Sequence, residues 1–363
     1  MSLNYIYGAN QGVVNGGELV RISLKLSAFF LFLSCVGKFR YSELILCFPL
    51  VYVAIFPIFF VAELDPAYRQ AINFSLCIPL FFIKYDNLKL HDLIWFLVVS
   101  ITSINTFLYL CFSEVRLFEN GAFVGAFGNP NSLGIASSLS VLFAFVLKNK
   151  IFRSIVIAVN IIFAFQSGSS LSVILCLSAA FLIAKQIAKI SILFAGSIIL
   201  ISWTDIVLLI KQFEFIPLAI EHLVKKLNGL FLFLGSFDSV GSHSIDNRVI
   251  YFHDGLSRIS DTLSFVLGHN SFTEIYFTGD GALIGYLATH GVIVTLMFTL
   301  AILFRIFQAL NSQCVVRRRA GMLLLLITLS LLSNRLLDYW PIGILFGLMW
   351  GISSVKKQTY DGA

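Results

Sequence analysis

Residues 92–112 read DLIWFLVVSITSINTFLYLCF, and this stretch decides the fold. After Asp92 it contains no charged residue, and it has the length of a helix that crosses the hydrocarbon core of a bilayer, about 20 residues. That core holds no water to bind an exposed backbone N–H or C=O group, so a segment that crosses it is expected to be helical. The stretch therefore predicts a transmembrane helix.

The rest of the chain has the same character. Apolar residues make up 58% of the 363 positions and charged residues 12%, whereas soluble domains carry about 25% charged residues. This composition excludes a soluble globular protein and predicts an all-α, polytopic transmembrane bundle of about eleven spans, with ten to twelve as the range. The predicted spans are 22–37, 44–62, 71–84, 92–112, 132–148, 151–166, 170–186, 190–210, 281–304, 320–337 and 340–355.

Lys and Arg residues in the short loops predict the orientation, because cytoplasmic loops carry an excess of both. With the C-terminus inside and the N-terminus outside, the short outer segments hold only Arg21, Arg69, Arg116 and Arg335. The opposite orientation would place most of the Lys and Arg residues of the loops outside, against the excess expected in cytoplasmic loops. The residues then placed inside are Lys38, Arg40, Lys84, Lys89, Lys148, Lys150, Arg153, Lys185, Lys189, Arg305, Arg317, Arg318, Arg319, Lys356 and Lys357.

One long polar loop interrupts this pattern. It occupies residues 211–279, on the outer side by the span count, between the membrane helices of 1–210 and those of 280–363. Long loops inside compact proteins are usually functional or disordered. Apolar residues recur at helical spacing over 218–234, which predicts a helix that lies on the membrane surface.

Two arginines in this loop are candidates for binding a phosphate group. Arg248 and Arg258 lie ten residues apart. A guanidinium is planar and permanently charged, and its N–H groups match the oxygens of a phosphate. The alternative for Arg248 is a salt bridge with Asp246 or Asp254.

Three further ionisable residues are candidates. Asp280 lies where the chain re-enters the membrane, so it can act as a general base for a hydroxyl nucleophile or as the N-cap of the next helix. His290 follows ten residues later, near the midplane of a straight helix, where ionisable groups are costly and often functional. The alternative is a neutral imidazole bonded to a neighbouring helix. His269 lies in the loop itself.

The remaining patterns argue against cofactors, metals and nucleic acid. His243, His253 and His269 lack the close spacing of a zinc site, and no Cys-x-x-Cys pair occurs. There is neither a phosphate-binding Walker loop nor a dinucleotide fingerprint. No basic stripe interleaved with aromatic residues lies outside the membrane boundaries, so nucleic acid is not expected as a partner.

Several of these features together resemble the O-antigen polymerase and ligase superfamily. Its members are multi-pass glycosyltransferases of the bacterial inner membrane that use undecaprenyl-diphosphate-linked glycans. Residues 127–131, Phe-Gly-Asn-Pro-Asn, look like the family's Gly-Asn-Pro-Asn signature before a membrane helix. The single large outer loop also matches. Within it, Asn247 and Arg248 look like the position of the arginine that contacts diphosphate.

The most informative comparison begins at residue 280. Ligases of the family carry a His-Ser-x-x-Leu pattern, followed after six residues by Gly. This chain has the same spacing from Asp280 to Gly291, with Asp in place of His and Gly281 in place of Ser. The change favours a polymerase over a ligase. A second departure is Ser169-Ser170, where the family often has Ser-Arg, and contact with phosphate then falls to Arg258 or Arg335.

The resemblance implies a polymerase that joins lipid-linked O-antigen repeat units at the periplasmic face of the inner membrane, without a cofactor or a metal. Its partners would be undecaprenyl-diphosphate-linked glycans and the bilayer, with a chain-length regulator and a flippase of the same pathway. A ligase that attaches finished glycan to lipid A core, and a flippase or other transporter, are the alternatives. The assigned catalytic residues are Asp280 and Arg248, and the assigned substrate-binding residues are Arg258, Arg335, His269 and His290.

Overall fold

A computed structural model describes residues 44–60, 75, 77–82, 87–111, 123–127, 129–184, 257, 265–266, 282–331 and 340–354. These residues are almost entirely helical and include no β-strand, which confirms the all-α prediction for this part of the chain. Predicted spans 22–37 and 190–210 lie outside the described residues, and so does the loop 211–279 with its helix 218–234, apart from residues 257 and 265–266. The helices are α1 (Leu44–Phe60), α2 (Ile78–Phe82), α3 (Asn87–Cys111), α4 (Pro130–Phe143), α5 (Lys150–Gln166), α6 (Ser170–Ile183), α7 (Ala282–Leu310), α8 (Val315–Leu331) and α9 (Trp340–Ser353).

Two segments of the described helices are long and apolar enough to cross a membrane, Leu90–Cys111 in α3 and His290–Leu310 in α7. Their outer surfaces are apolar rather than polar. On α7 a stripe of large apolar side chains is about half exposed and recurs every three or four residues, so it occupies one face of the helix. Such a continuous apolar exterior suits lipid and not water. The stripe consists of Ile293, Leu296, Leu300, Leu303, Phe304 and Phe307.

The described chain divides into two compact units, and the division falls inside α3, between Leu93 and Ile94. The first unit contains α1, α2, α7, α8 and α9. Its core holds an aromatic cluster between α2 and α9, in which the ring of Phe81 lies 5.9 Å from that of Phe346 and 5.8 Å from that of Trp350. Ala301 and Ala309 on the inner face of α7 are buried, and their small size lets the neighbouring helices approach closely.

The second unit is built around α4, which is buried along almost its whole length. The helix is rich in small residues, and at Gly134 a Cβ atom would overlap the backbone Cα and the side chain of Ser172 on α6. Two helices can therefore pack here at backbone distance only because position 134 is glycine. A 3₁₀ turn, Ala144–Val146, ends α4, and Arg153 of α5 donates hydrogen bonds to the carbonyls of Phe145 and Leu147 at that end.

Candidate functional site

Of the six residues assigned to the site from the sequence, the structure describes one. His290 lies in α7. Asp280, Arg248, Arg258, Arg335 and His269 lie outside the described residues, so their assignments remain predictions.

His290 is enclosed by aromatic rings. It is 3% exposed. Its ring centroid lies 5.9 Å from that of Tyr52 on α1, in an edge-to-face arrangement, and 6.2 Å from that of Tyr286, one turn earlier on α7. The Tyr286 ring in turn packs edge-on against Phe298. The imidazole is thus held between two helices and has little free surface for a substrate.

The helix does not continue straight past His290. Gly291 has φ 77° and ψ 173°, so α7 consists of two helical segments joined by a kink. This backbone conformation is essentially restricted to glycine, because a Cβ atom would clash with the backbone. The kink follows His290, so the depth predicted for this residue from the start of the helix stays a prediction. The kink also gives a physical reason for glycine at the end of the pattern that begins at Asp280.

The Asn129-Pro130-Asn131 motif starts α4. The Asn129 side chain accepts hydrogen bonds from the backbone N–H of Asn131 at 2.8 Å and of Ser132 at 3.3 Å. Pro130 occupies the first turn, where a missing N–H leaves nothing unsatisfied. Asn129 is therefore the N-cap of the helix that follows the motif.

The same motif contacts the turn between α5 and α6, a contact that the sequence did not predict. The Ser169 hydroxyl donates a hydrogen bond to Oδ1 of Asn131 and accepts one from the backbone N–H of Ser172. The Ser172 hydroxyl donates to the carbonyl of Pro130 at 2.6 Å. Ser169, at the place where the family often has the Ser of Ser-Arg, is therefore the N-cap of α6 with its side chain turned toward α4.

A third segment joins at this end of the unit. The backbone N–H of Phe123 donates to the carbonyl of Gln166, the last residue of α5, at 2.9 Å. The backbone N–H of Ala126 donates to Oδ1 of Asn105 on α3, which is fully buried. Residues 123–127 and 129–131 are thereby hydrogen-bonded to α3, α5 and α6, and we call the residues that make these hydrogen bonds the helix-end cluster.

A second polar contact ties the same helices together deeper in the unit. Nδ2 of Asn160 on α5 donates to the hydroxyl of Thr102 on α3 at 2.9 Å, and both residues are buried. Hydrogen bonds between apolar helices contribute about 0.6 kcal/mol on average in a membrane. Asn105, Asn160 and Ser172 were not singled out from the sequence. A polar residue inside an apolar span was the available signal, but it does not tell which helix the residue faces.

The helix-end cluster has the chemistry of a scaffold. Its described members are amides, hydroxyls and backbone groups, which position a loop but neither take up a proton at neutral pH nor neutralise a diphosphate. In the described part of the chain, no group of three or more His, Cys, Asp or Glu side chains could hold a metal ion. Charged groups for catalysis would have to come from the loop residues assigned above.

Asn131→Ala tests the scaffold. It removes the acceptor for the Ser169 hydroxyl, so we expect the free energy of unfolding of the purified protein to fall by about 1 kcal/mol. Asn131→Asp keeps an acceptor oxygen at that place, and its charge is favourable in the first turn of a helix, so it should unfold at close to the wild-type temperature. Thermal unfolding in detergent micelles measures both. Equal stability of the Ala variant and wild type would show that this contact does not stabilise the fold.

Searches of protein-family models and of curated proteins found no match for this chain.

Proposed function

We propose that this chain is an O-antigen polymerase of the bacterial inner membrane, an eleven-span bundle whose outer loop and adjoining helix ends form the active site. One observation supports the proposal most strongly. The Asn129-Pro130-Asn131 motif, on which the resemblance partly rests, is bonded directly to the turn at Ser169, the second place at which this chain was compared with the family. The two stretches are separate in sequence, and their contact supports a common role for them.

The proposed reaction transfers a growing glycan from one undecaprenyl diphosphate to a sugar of the next lipid-linked unit. A hydroxyl oxygen of the acceptor sugar attacks the anomeric carbon of the donor, and the bond from that carbon to the diphosphate oxygen breaks. The hydroxyl proton passes to the carboxylate of Asp280, and the diphosphate leaves with the bonding electrons. No ATP is needed, because the diphosphate is already a good leaving group.

Two effects would supply most of the rate. Arg248, supported by Arg258 and Arg335, would stabilise the charge that develops on the departing diphosphate. The bundle would align two bulky lipid-linked substrates, and alignment of reactants can contribute about 7–11 kcal/mol. Of the two histidines assigned to substrate binding, His269 keeps that role in the proposal, whereas His290 is enclosed by aromatic rings and has little free surface for a substrate. The helix-end cluster would hold the ends of α4, α5 and α6 together.

Deletion of the gene from its source bacterium tests the function. A lipopolysaccharide gel of the deletion strain should show lipid A core carrying a single repeat unit, since a cell without the polymerase can still attach one unit. Complementation with the wild-type gene should restore the ladder.

Other outcomes of the same gel identify the alternatives. Complete absence of attached repeats would overturn the polymerase proposal in favour of ligation or of transport of the lipid-linked unit. An unchanged ladder would remove O-antigen synthesis altogether. The sequence already counts against a ligase, because Asp280 stands where ligases have His.

A further inference from the structure

The exposed surface of the second unit is apolar over a shorter distance than a bilayer requires. We call this surface the apolar belt, and it is formed by exposed side chains of α3 and α5. The hydrocarbon core of a typical bilayer is about 30 Å thick, and the belt on each of the two helices is several ångströms shorter. The large side chains of the belt are Trp95, Phe96, Ile104, Phe107, Tyr109 and Leu110 on α3, and Ile151, Phe152, Ile155, Ile162 and Phe165 on α5.

On α3 a charged pair sets the edge of the belt. The segment Leu90–Cys111 is long enough to cross a membrane by length and composition, but the side chain of Asp92 is 89% exposed and lies 4.0 Å from that of His91. The exposed apolar side chains therefore begin only at Trp95, and from there to Cys111 an α-helix rises by roughly 24 Å. Exposed Trp95 and Tyr109 lie near the two ends of this stretch, and Trp and Tyr are enriched where a membrane meets water.

On α5 basic residues set the corresponding edge. Lys148 and Lys150 are exposed at the start of the helix. The guanidinium of Arg153, one turn later, donates to backbone carbonyls at the end of α4, so it is not free to extend toward lipid headgroups as an unbound basic side chain can. From Ile151 to Phe165, the exposed apolar side chains of α5 cover roughly 21 Å.

The two stretches lie side by side and form one surface. Asn160 on α5 donates to Thr102 in the middle of α3, and the ring of Phe163 lies 6.0 Å from that of Tyr109 near the end of α3. The other described helices of this unit are also short, because α4 and α6 have 14 residues each, whereas a helix that crosses a bilayer needs about 20. Tilt of these helices would reduce the height of the belt further.

We propose that the second unit is matched to a locally thinned bilayer, and that its apolar belt binds phospholipids with short acyl chains in preference to longer ones. A hydrophobic stretch that is too short for the membrane is accommodated by thinning of the bilayer, by snorkelling of the flanking side chains or by oligomerisation. Snorkelling is limited on α5, because Arg153 is bound to α4. This inference does not depend on the glycosyltransferase function.

Fluorescence quenching by brominated phosphatidylcholine tests the proposal on the whole chain in liposomes. In a variant with Trp203→Phe and Trp340→Phe, Trp95 reports on the belt, because Trp350 is fully buried and out of reach of lipid. Competition between the brominated lipid and phosphatidylcholines of increasing chain length gives their relative binding constants at Trp95. Chains of about 14 carbon atoms should bind at least twofold more tightly than chains of about 20.

Two double variants test whether the height of the belt sets this preference. His91→Leu with Asp92→Leu extends the belt on α3 back to Leu90, which gives it a height of roughly 32 Å, and the preference for short chains should disappear. His91→Gln with Asp92→Asn is the matched control. It removes the same ionisable groups but keeps the edge polar, so it should retain the preference of the parent variant.

Equal binding of all chain lengths at Trp95, or tighter binding of the longer chains, would overturn the proposal. An unchanged preference for short chains in the Leu double variant would do the same, because the height of the belt would then have no influence. Weak quenching of Trp95 by every lipid, together with a crosslinked dimer in the same liposomes, would also overturn it, since a second copy of the chain would then cover the belt.

Discussion

Asp280→Asn, expressed in the deletion strain, is expected to yield folded protein in the membrane but no O-antigen ladder. Asn is as good an N-cap as Asp, but its amide cannot accept the proton of a sugar hydroxyl. Loss of a general base lowers a rate by about 10²–10⁴, so polymer should fall below detection while lipid A core with one repeat accumulates. Lipopolysaccharide gels and immunoblots of membranes measure the two quantities.

This substitution separates the two roles that the sequence leaves open for Asp280. A full ladder from Asp280→Asn, together with low protein levels for Asp280→Ala, would identify Asp280 as a helix cap and contradict its role as a base. Asp261→Ala is the control for removal of a negative charge from the adjoining loop. It should leave the ladder unchanged, since no role is assigned to Asp261.

Gly134→Leu is expected to prevent the second unit from packing, with most of the protein lost from the membrane or aggregated after extraction. Already a Cβ at this position overlaps the backbone of Ser172, and a backbone atom cannot move aside as the tip of a flexible side chain can. Overpacking of this kind costs about 1–3 kcal/mol, and a larger side chain costs more. Size-exclusion chromatography and thermal unfolding of the extracted protein measure the effect.

Gly285 provides a matched control for the prediction at Gly134. Gly285 lies in the first segment of α7, and a Cβ there would meet nothing within 4 Å. Alanine is favoured over glycine in a helix by about 1 kcal/mol. Gly285→Ala should therefore raise the unfolding temperature, whereas Gly134→Ala should lower it despite the same gain in helix propensity. A rise in both variants would show that α4 and α6 can separate at little cost.

The helix-end cluster shows which contacts can be predicted from the sequence and which cannot. Asn129 and Pro130 were recognisable as the start of a helix, because capping depends on neighbours along the chain. The hydrogen bond from Ser169 to Asn131 could not be predicted from the sequence, because it joins residues at the ends of different helices. The same holds for Asn105 and Asn160: a polar residue within an apolar span predicts an inward-facing contact without naming its partner.

For the described residues, the sequence by itself determined the all-α class of the fold and the approximate position of most of the helices. The reason is local: an apolar environment requires each backbone N–H and C=O to be satisfied within its own segment, so apolar length and composition are enough to predict a helix such as α3 or α7. The order of the motifs along the chain can also be read from the sequence alone, and it suggested the function.

Only the tertiary structure decided which helix faces meet. Lipid-facing and protein-facing surfaces are alike in composition, so the exposed stripe of α7 and the buried face of α4 are distinguished only when the helices are packed. That packing brings Ser169 into hydrogen-bond contact with Asn131 and leaves no room for a side chain at Gly134. It also accommodates the kink of α7 at Gly291 and places the guanidinium of Arg305 over the ring of Trp350. Each of these contacts depends on distances between segments far apart in the chain, which local spacing does not encode.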